Sequence, residues 1–137
     1  MDRDAIMSLI PHRDAMLLVD EARVEAGTAY GSYTVRGDEW FLRGHFPGNP
    51  VVPGVVLCEM MAQAACVLLS GQDMNGATPY FTSLDKVRFK GSVRPGDTLH
   101  SECVITKSKG PFYFCAGKGY VGGKLCVSGE FSFAVMK

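Results

Sequence analysis

Residues 55–69 read V-V-L-C-E-M-M-A-Q-A-A-C-V-L-L, and only Glu59 and Gln63 among them are polar. The run is rich in helix formers, and Ser70-Gly71 follows as a stop. A helix with no polar face is either buried on all sides or sits in a membrane. A bilayer needs about 20 apolar residues, and this run is shorter and interrupted by a carboxyl group and an amide. The remainder of the chain must therefore wrap around this helix. The two polar exceptions are four residues apart and share one helix face.

The flanking sequence supplies the wrapping. Residues 4–9 suit a short helix stopped by Pro11, because the residue before a proline avoids helical geometry. Residues 16–25 and 28–36 read as strands joined at Gly27. Residues 43–54 hold Gly44, Pro47, Gly48, Pro50, Pro53 and Gly54, a stiff loop leading into the helix. Four more strands are expected at 79–90, 98–108, 112–121 and 124–135. They are separated by Arg94-Pro95-Gly96-Asp97, Lys109-Gly110-Pro111 and Gly122-Gly123. The 16 glycines fit so many turns. Two strands, a helix and four strands predict an α+β fold, with a curved antiparallel sheet of about six strands around a long central helix. At 137 residues, 1–137 is expected to form a single domain.

Composition narrows the function classes. Lys plus Arg and Asp plus Glu both number 14, so the formal net charge is zero, which argues against bulk nucleic-acid binding. Met1-Asp2-Arg3-Asp4 does not begin a secretory signal, and Val135-Met136-Lys137 carries no lipidation motif. Five cysteines (Cys58, Cys66, Cys103, Cys115 and Cys126) are an odd number without a Cys-x-x-Cys pair. They are expected as reduced core thiols in a cytoplasmic protein that does not enter a membrane. Cys58 has no activating neighbour and is read as inert. Three dispersed histidines lack ligand spacing, so no metal site is expected.

Three features point to chemistry. Glu59 lies among apolar residues, where loss of hydration favours the protonated carboxyl group, a potential acid; the plain alternative is a structural carboxyl bonded to Gln63 or the backbone. His45, in Gly44-His45-Phe46-Pro47-Gly48, is a candidate general base; the alternative is a loop histidine without a role. Gly54 opens the helix, where free N–H groups and the helix dipole can stabilise an oxyanion; Pro53-Gly54 can equally be only a turn. Base, acid and oxyanion donor together suit removal of a proton beside a carbonyl and expulsion of a neighbouring hydroxyl.

These residues also carry a resemblance. His45-Phe46-Pro47-Gly48-Asn49-Pro50, Val52-Pro53-Gly54-Val55 and Glu59-Met60-Met61-Ala62-Gln63 resemble the (3R)-hydroxyacyl-acyl-carrier-protein dehydratases of type II fatty acid synthesis, the FabZ family. Leu9-Ile10-Pro11-His12-Arg13, Met16-Leu17-Leu18-Val19-Asp20, Asp85-Lys86-Val87-Arg88-Phe89-Lys90 and Arg94-Pro95-Gly96-Asp97 extend it over nearly the whole chain. The resemblance implies a hot-dog fold, no cofactor, and a homodimer that can assemble as a trimer of dimers. It implies dehydration of (3R)-3-hydroxyacyl-acyl carrier protein to the trans-2-enoyl product. His45 would exchange the C2 proton, and Glu59 of the other subunit would protonate the leaving hydroxyl. The Gly54 amide would hold the thioester oxygen, and Gln63 would orient Glu59. Glutamate rather than aspartate at 59 favours the dehydratase over the related FabA-type dehydratase/isomerases.

Lys86, Arg88 and Lys90 alternate along a predicted strand, with Arg94 just beyond, and would present a basic face opposite Val87 and Phe89. That face suits docking of acidic acyl carrier protein or, more plainly, is a solvated edge. His12 is read as structural or loop-positioning, His100 as exposed, and Trp40 and Phe41 as packing residues. Phe46, Leu57 and Phe81 are expected to set tunnel depth. The competing functions are a hot-dog thioesterase, which would release free thiol, and a non-catalytic acyl-binding module, in which His45 and Glu59 would be dispensable.

Overall fold

The computed structural model describes residues 1–70 and 76–136. Helix α1 (Arg3–Met7) begins at Asp2, whose carboxylate accepts the Ala5 amide at 3.0 Å. Beyond Pro11 the Arg13 guanidinium donates to the carbonyls of Met7, Ile10 and His12, which fastens the chain that leaves α1. Strands β1 (Glu21–Glu25) and β2 (Thr28–Thr34) form a hairpin, and the chain then reaches α2 (Gly54–Ala65). A tighter 3₁₀ turn, Cys66–Leu69, prolongs this helix. Strands β3 (Thr78–Phe89), β4 (Thr98–Lys109), β5 (Phe112–Val121) and β6 (Lys124–Met136) complete the chain.

All six strands join one antiparallel sheet in the order β1-β2-β4-β5-β6-β3. The sheet packs on α2 through β2, β4, β5 and β6, as the apolar helix required. Val56, Leu57, Cys58, Met60, Met61, Ala62, Ala64 and Ala65 are buried there. Burial is not all-round, because the first turn emerges from the sheet and leaves Val55 68% exposed.

Two local expectations change. Residues 16–20 do not belong to a strand: a 3₁₀ turn spans Asp14–Met16, and β1 starts only at Glu21. Leu17, Leu18 and Val19 are all buried, which alternation in a one-faced strand does not allow, and the Leu18 amide bonds to the Gln63 side chain rather than to a neighbouring strand. Nor do all the glycines mark turns. Gly31 lies within β2, where a Cβ would sit 2.6 Å from that of Ala64; its missing side chain lets the helix rest against the strand backbone.

Candidate active site

Glu59 and Gln63 project from one face of α2, one turn apart. Gln63 is 1% exposed, and its polar atoms are fully engaged. Its Oε1 accepts the Leu18 amide at 2.8 Å, while Nε2 donates to the Met16 carbonyl at 2.8 Å and to Glu59 Oε2 at 2.7 Å. This is the amide inventory that buries a glutamine without loss. Glu59 itself is not sealed in the core, as the apolar run suggested, since 21% of its side chain is accessible. It faces a narrow cavity of about 40 Å³ walled by Ala62, Cys66, Pro79, Phe81 and Phe133.

His12 also reaches this cavity. Its Nε2 lies 3.3 Å from Glu59 Oε2, so the histidine read as a loop residue stands beside the candidate acid. Only the fold brings these two positions together, and nothing periodic or local in the sequence links them. Leu9-Ile10-Pro11-His12-Arg13 was the available signal, as a segment of the resemblance.

His45 occupies a different place. Its backbone carbonyl accepts the Val51 amide at 2.9 Å, and Phe46 and Asn49 exchange amide and carbonyl bonds at 2.9 and 3.2 Å. These bonds close a tight loop around the imidazole. The ring Nδ1 lies 3.1 Å from the Val51 carbonyl, an acceptor, so Nδ1 carries the hydrogen and Nε2 the lone pair. His45 and Gly54 line an open cleft of about 450 Å³ with Val51, Pro53, Leu57 and Phe89. Gly54 opens α2 there, with its backbone against the ring of Phe89; a Cβ would lie 2.7 Å from that ring. Within one chain the predicted residues therefore form two pairs, His45 with Gly54 and Glu59 with Gln63, on separate cavities.

The predicted basic face is only partly formed. Val87 packs toward the core, but Phe89, paired in register with Val127, is 55% exposed. A bulge between Asp85 and Arg88 also interrupts the strand, with Lys86 at φ +52° and ion-paired to Glu130. Arg94 donates to Asn49 Oδ1 at 2.5 Å, bracing the His45 loop. Arg88 and Lys90 are exposed.

The remaining residues sort clearly. All five cysteines are free and buried. Burial raises the thiols of Cys58, Cys66 and Cys103 and pushes Cys115 up to about 12, so these four are core groups without nucleophilic activation. His100 is exposed and Phe41 buried. Trp40 departs from the packing role expected of it, being 47% exposed with its indole N–H donated to the Ala15 carbonyl. Among the described residues no three His, Cys, Asp or Glu side chains converge as metal ligands, and no helix is long and apolar enough to cross a membrane.

Comparison with known proteins gives this geometry a context. The FabA-like domain family matches residues 10–130. A 3-hydroxyacyl-acyl-carrier-protein dehydratase FabZ from Moorella thermoacetica is 46% identical, over 98% of this chain and 96% of its own length. The protein of the same name from Caldicellulosiruptor saccharolyticus is 44% identical, over 98% of both chains. Among solved structures, the dehydratase heterocomplex ApeI:P from Xenorhabdus doucetiae superimposes with a TM-score of 0.80 at 20% identity, covering 96% of this chain and 91% of that one. The fluoroacetyl-CoA thioesterase FlK superimposes with a TM-score of 0.68 at 17% identity, covering 85% and 90%. Dehydratase and thioesterase thus share this hot-dog fold, so fold alone does not select the reaction. Sequence similarity over nearly the full length does: the chain belongs to the FabZ family of 3-hydroxyacyl-acyl-carrier-protein dehydratases.

Proposed function

We propose that this chain dehydrates (3R)-3-hydroxyacyl thioesters carried on acyl carrier protein, in fatty acid synthesis, at a site shared between two copies of the chain. The observation that carries the reading is the separation of the candidate base and acid onto two cavities. A β-elimination needs both at adjacent carbons of one substrate, so a second copy must bring its Glu59 to the His45 cleft. The edge strand β3 supports such pairing. Among the described residues it has no strand partner beyond β6, and it exposes Tyr80, Phe81, Leu84 and Phe89, an apolar series that suits an isologous dimer.

In the proposed reaction His45 Nε2 accepts the C2 proton, its ring fixed by the Val51 carbonyl. The Gly54 amide, at the positive end of α2, takes up the charge growing on the thioester oxygen. The electron pair of the C2–H bond forms C2=C3 as the C3–O bond breaks. Glu59 protonates the departing hydroxyl, giving water and the trans-2-enoyl thioester. The proton left on His45 returns to Glu59 through solvent, and no cofactor enters. Gln63 holds the acid in place through its bonds to Met16 and Leu18. Arg88 and Lys90 flank Phe89, which lines the His45 cleft, and so offer cations to an acidic carrier at its mouth. Lys86 and Arg94, already bonded, contribute less to docking.

The test is turnover of a 3-hydroxybutyryl thioester on acyl carrier protein by wild type and Glu59→Gln, followed by mass spectrometry with a free-thiol readout in the same tubes. Enoyl product from wild type, lost in the variant and without thiol release, is expected. Thiol release without enoyl product would make the protein a thioesterase instead.

A further inference from the structure

Carboxyl groups on helices move readily, because glutamate has three side-chain torsions to restrain. Glu59 is held at one oxygen from two directions. Gln63 Nε2, from its own helix, lies 2.7 Å from Oε2, and His12 Nε2, from the segment after α1, lies 3.3 Å from the same atom. His12 has no other polar engagement through its ring: Nδ1 is buried and finds no hydrogen-bond partner among the described residues. A hydrogen on Nδ1 would be buried without an acceptor, so the ring carries its hydrogen on Nε2, the nitrogen in close polar contact with Glu59 Oε2 at 3.3 Å. The backbone beneath His12 is fixed in turn, since Arg13 donates to the His12 and Ile10 carbonyls at 2.7 and 2.8 Å.

We propose that His12 is a positioning residue for the elimination: its Nε2–H, together with the Gln63 amide, pins Glu59 Oε2 and so presents Oε1 to the leaving hydroxyl. This rests on the reading of Glu59 as the acid. His12 acts through Glu59 and does not touch substrate. A donor on one oxygen alone leaves the carboxyl plane free to rotate, whereas two donors from separate elements set it. Because His12 orients the acid without touching substrate, a misdirected acid costs turnover rather than binding.

The role predicts an asymmetry between the two ring nitrogens. Glutamine places its amide near the Nε2 position, while asparagine reaches only as far as Nδ1. His12→Leu and His12→Asn are expected to lower kcat by about 10- to 100-fold with KM within about 3-fold, and His12→Gln to recover most of that loss. In a Glu59→Gln background, His12→Leu is expected to cost nothing further in kcat, because the group it orients is gone. Purified homo-oligomer, the carrier-bound 3-hydroxybutyryl substrate and thermal unfolding of each variant complete the experiment. Equal loss in His12→Gln and His12→Leu overturns the proposal, as does full turnover in His12→Leu or an undiminished further loss in the double variant. Should Glu59→Gln alone keep near-normal turnover, the assignment of the acid fails first, and the positioning role fails with it.

Discussion

The two halves of the site are built in opposite ways. His45 stands in a loop closed by short-range backbone bonds, one ring nitrogen tied to a carbonyl six residues on, and it faces an open cleft. Glu59 stands on a buried helix beside its local partner Gln63, but His12, which contacts it, and Met16 and Leu18, which hold Gln63, lie more than 40 residues away. The proposed base is thus oriented by local chain stiffness and left accessible. The proposed acid is oriented by tertiary packing and confined. The difference teaches where each half can fail: the His45 side through its loop, the Glu59 side through its network.

The sharpest break of the comparison is chemical. His45→Ala and Glu59→Gln are each expected to lower kcat by about 10²- to 10⁴-fold while thermal unfolding stays near wild type, since each removes one proton-transfer group. Steady-state kinetics beside differential scanning calorimetry checks both. Mixing the two variants comes next. If subunits exchange at random, half the dimers are mixed and each mixed dimer holds one intact site, so about a quarter of wild-type activity returns. No recovery after complete unfolding and joint refolding would place both groups in one chain.

Substitution at Gly54 tests how tightly the open half is shaped. A Cβ there meets the Phe89 ring, so Gly54→Val is expected to narrow the cleft and reduce kcat/KM by about 10-fold, and adding Phe89→Ala should restore part of it. On the confined half, Gln63→Leu keeps volume but strands the buried Leu18 amide. Its expected effect is destabilisation by about 1–3 kcal/mol in urea unfolding, accompanied by loss of turnover.

The smallest expected effect is a pH dependence of stability in the segment that leads to the His45 loop. Glu39 precedes the His45 loop and accepts the amides of Arg36 and Gly37 and the hydroxyl of Tyr33 at 2.9, 2.8 and 2.8 Å. Burial works to raise its carboxyl value, but these donors prevail and hold it below the ordinary 4.5. Tyr33 is raised, by burial first and then by Glu39, and stays a neutral donor. A depressed carboxyl stabilises the fold fully above its unfolded value and stops doing so as pH falls through the folded one. Stability of wild type over Glu39→Gln should therefore be fully present above the ordinary 4.5 and be lost as pH falls through the lower folded value in chemical denaturation series. A gap that persists in acid would contradict the linkage.

Much of this is legible in the amino-acid sequence. The apolar run at 55–69 required a buried helix, and turn signals at Gly27, Pro95-Gly96, Gly110-Pro111 and Gly122-Gly123 delimited strands to within a few residues of those observed. Such features are local: periodicity and backbone restriction act over a handful of residues. The segment 16–20 misled because an apolar run looks alike whether its amides pair with a strand or, as at Leu18, with a side chain 45 residues away. Lys86 misled because a bulge leaves no mark in composition.

The amino-acid order by itself thus determined the elements, the stiffness of the His45 loop and the pairing of Glu59 with Gln63 one turn apart. Only the tertiary structure decided that His12 meets Glu59, that Gly31 admits Ala64, and that His45 and Glu59 open onto separate cavities of one chain. The reason is range. Local preferences act between near neighbours in sequence, whereas these contacts exist only after the sheet has closed around its helix and brought distant residues within bonding distance.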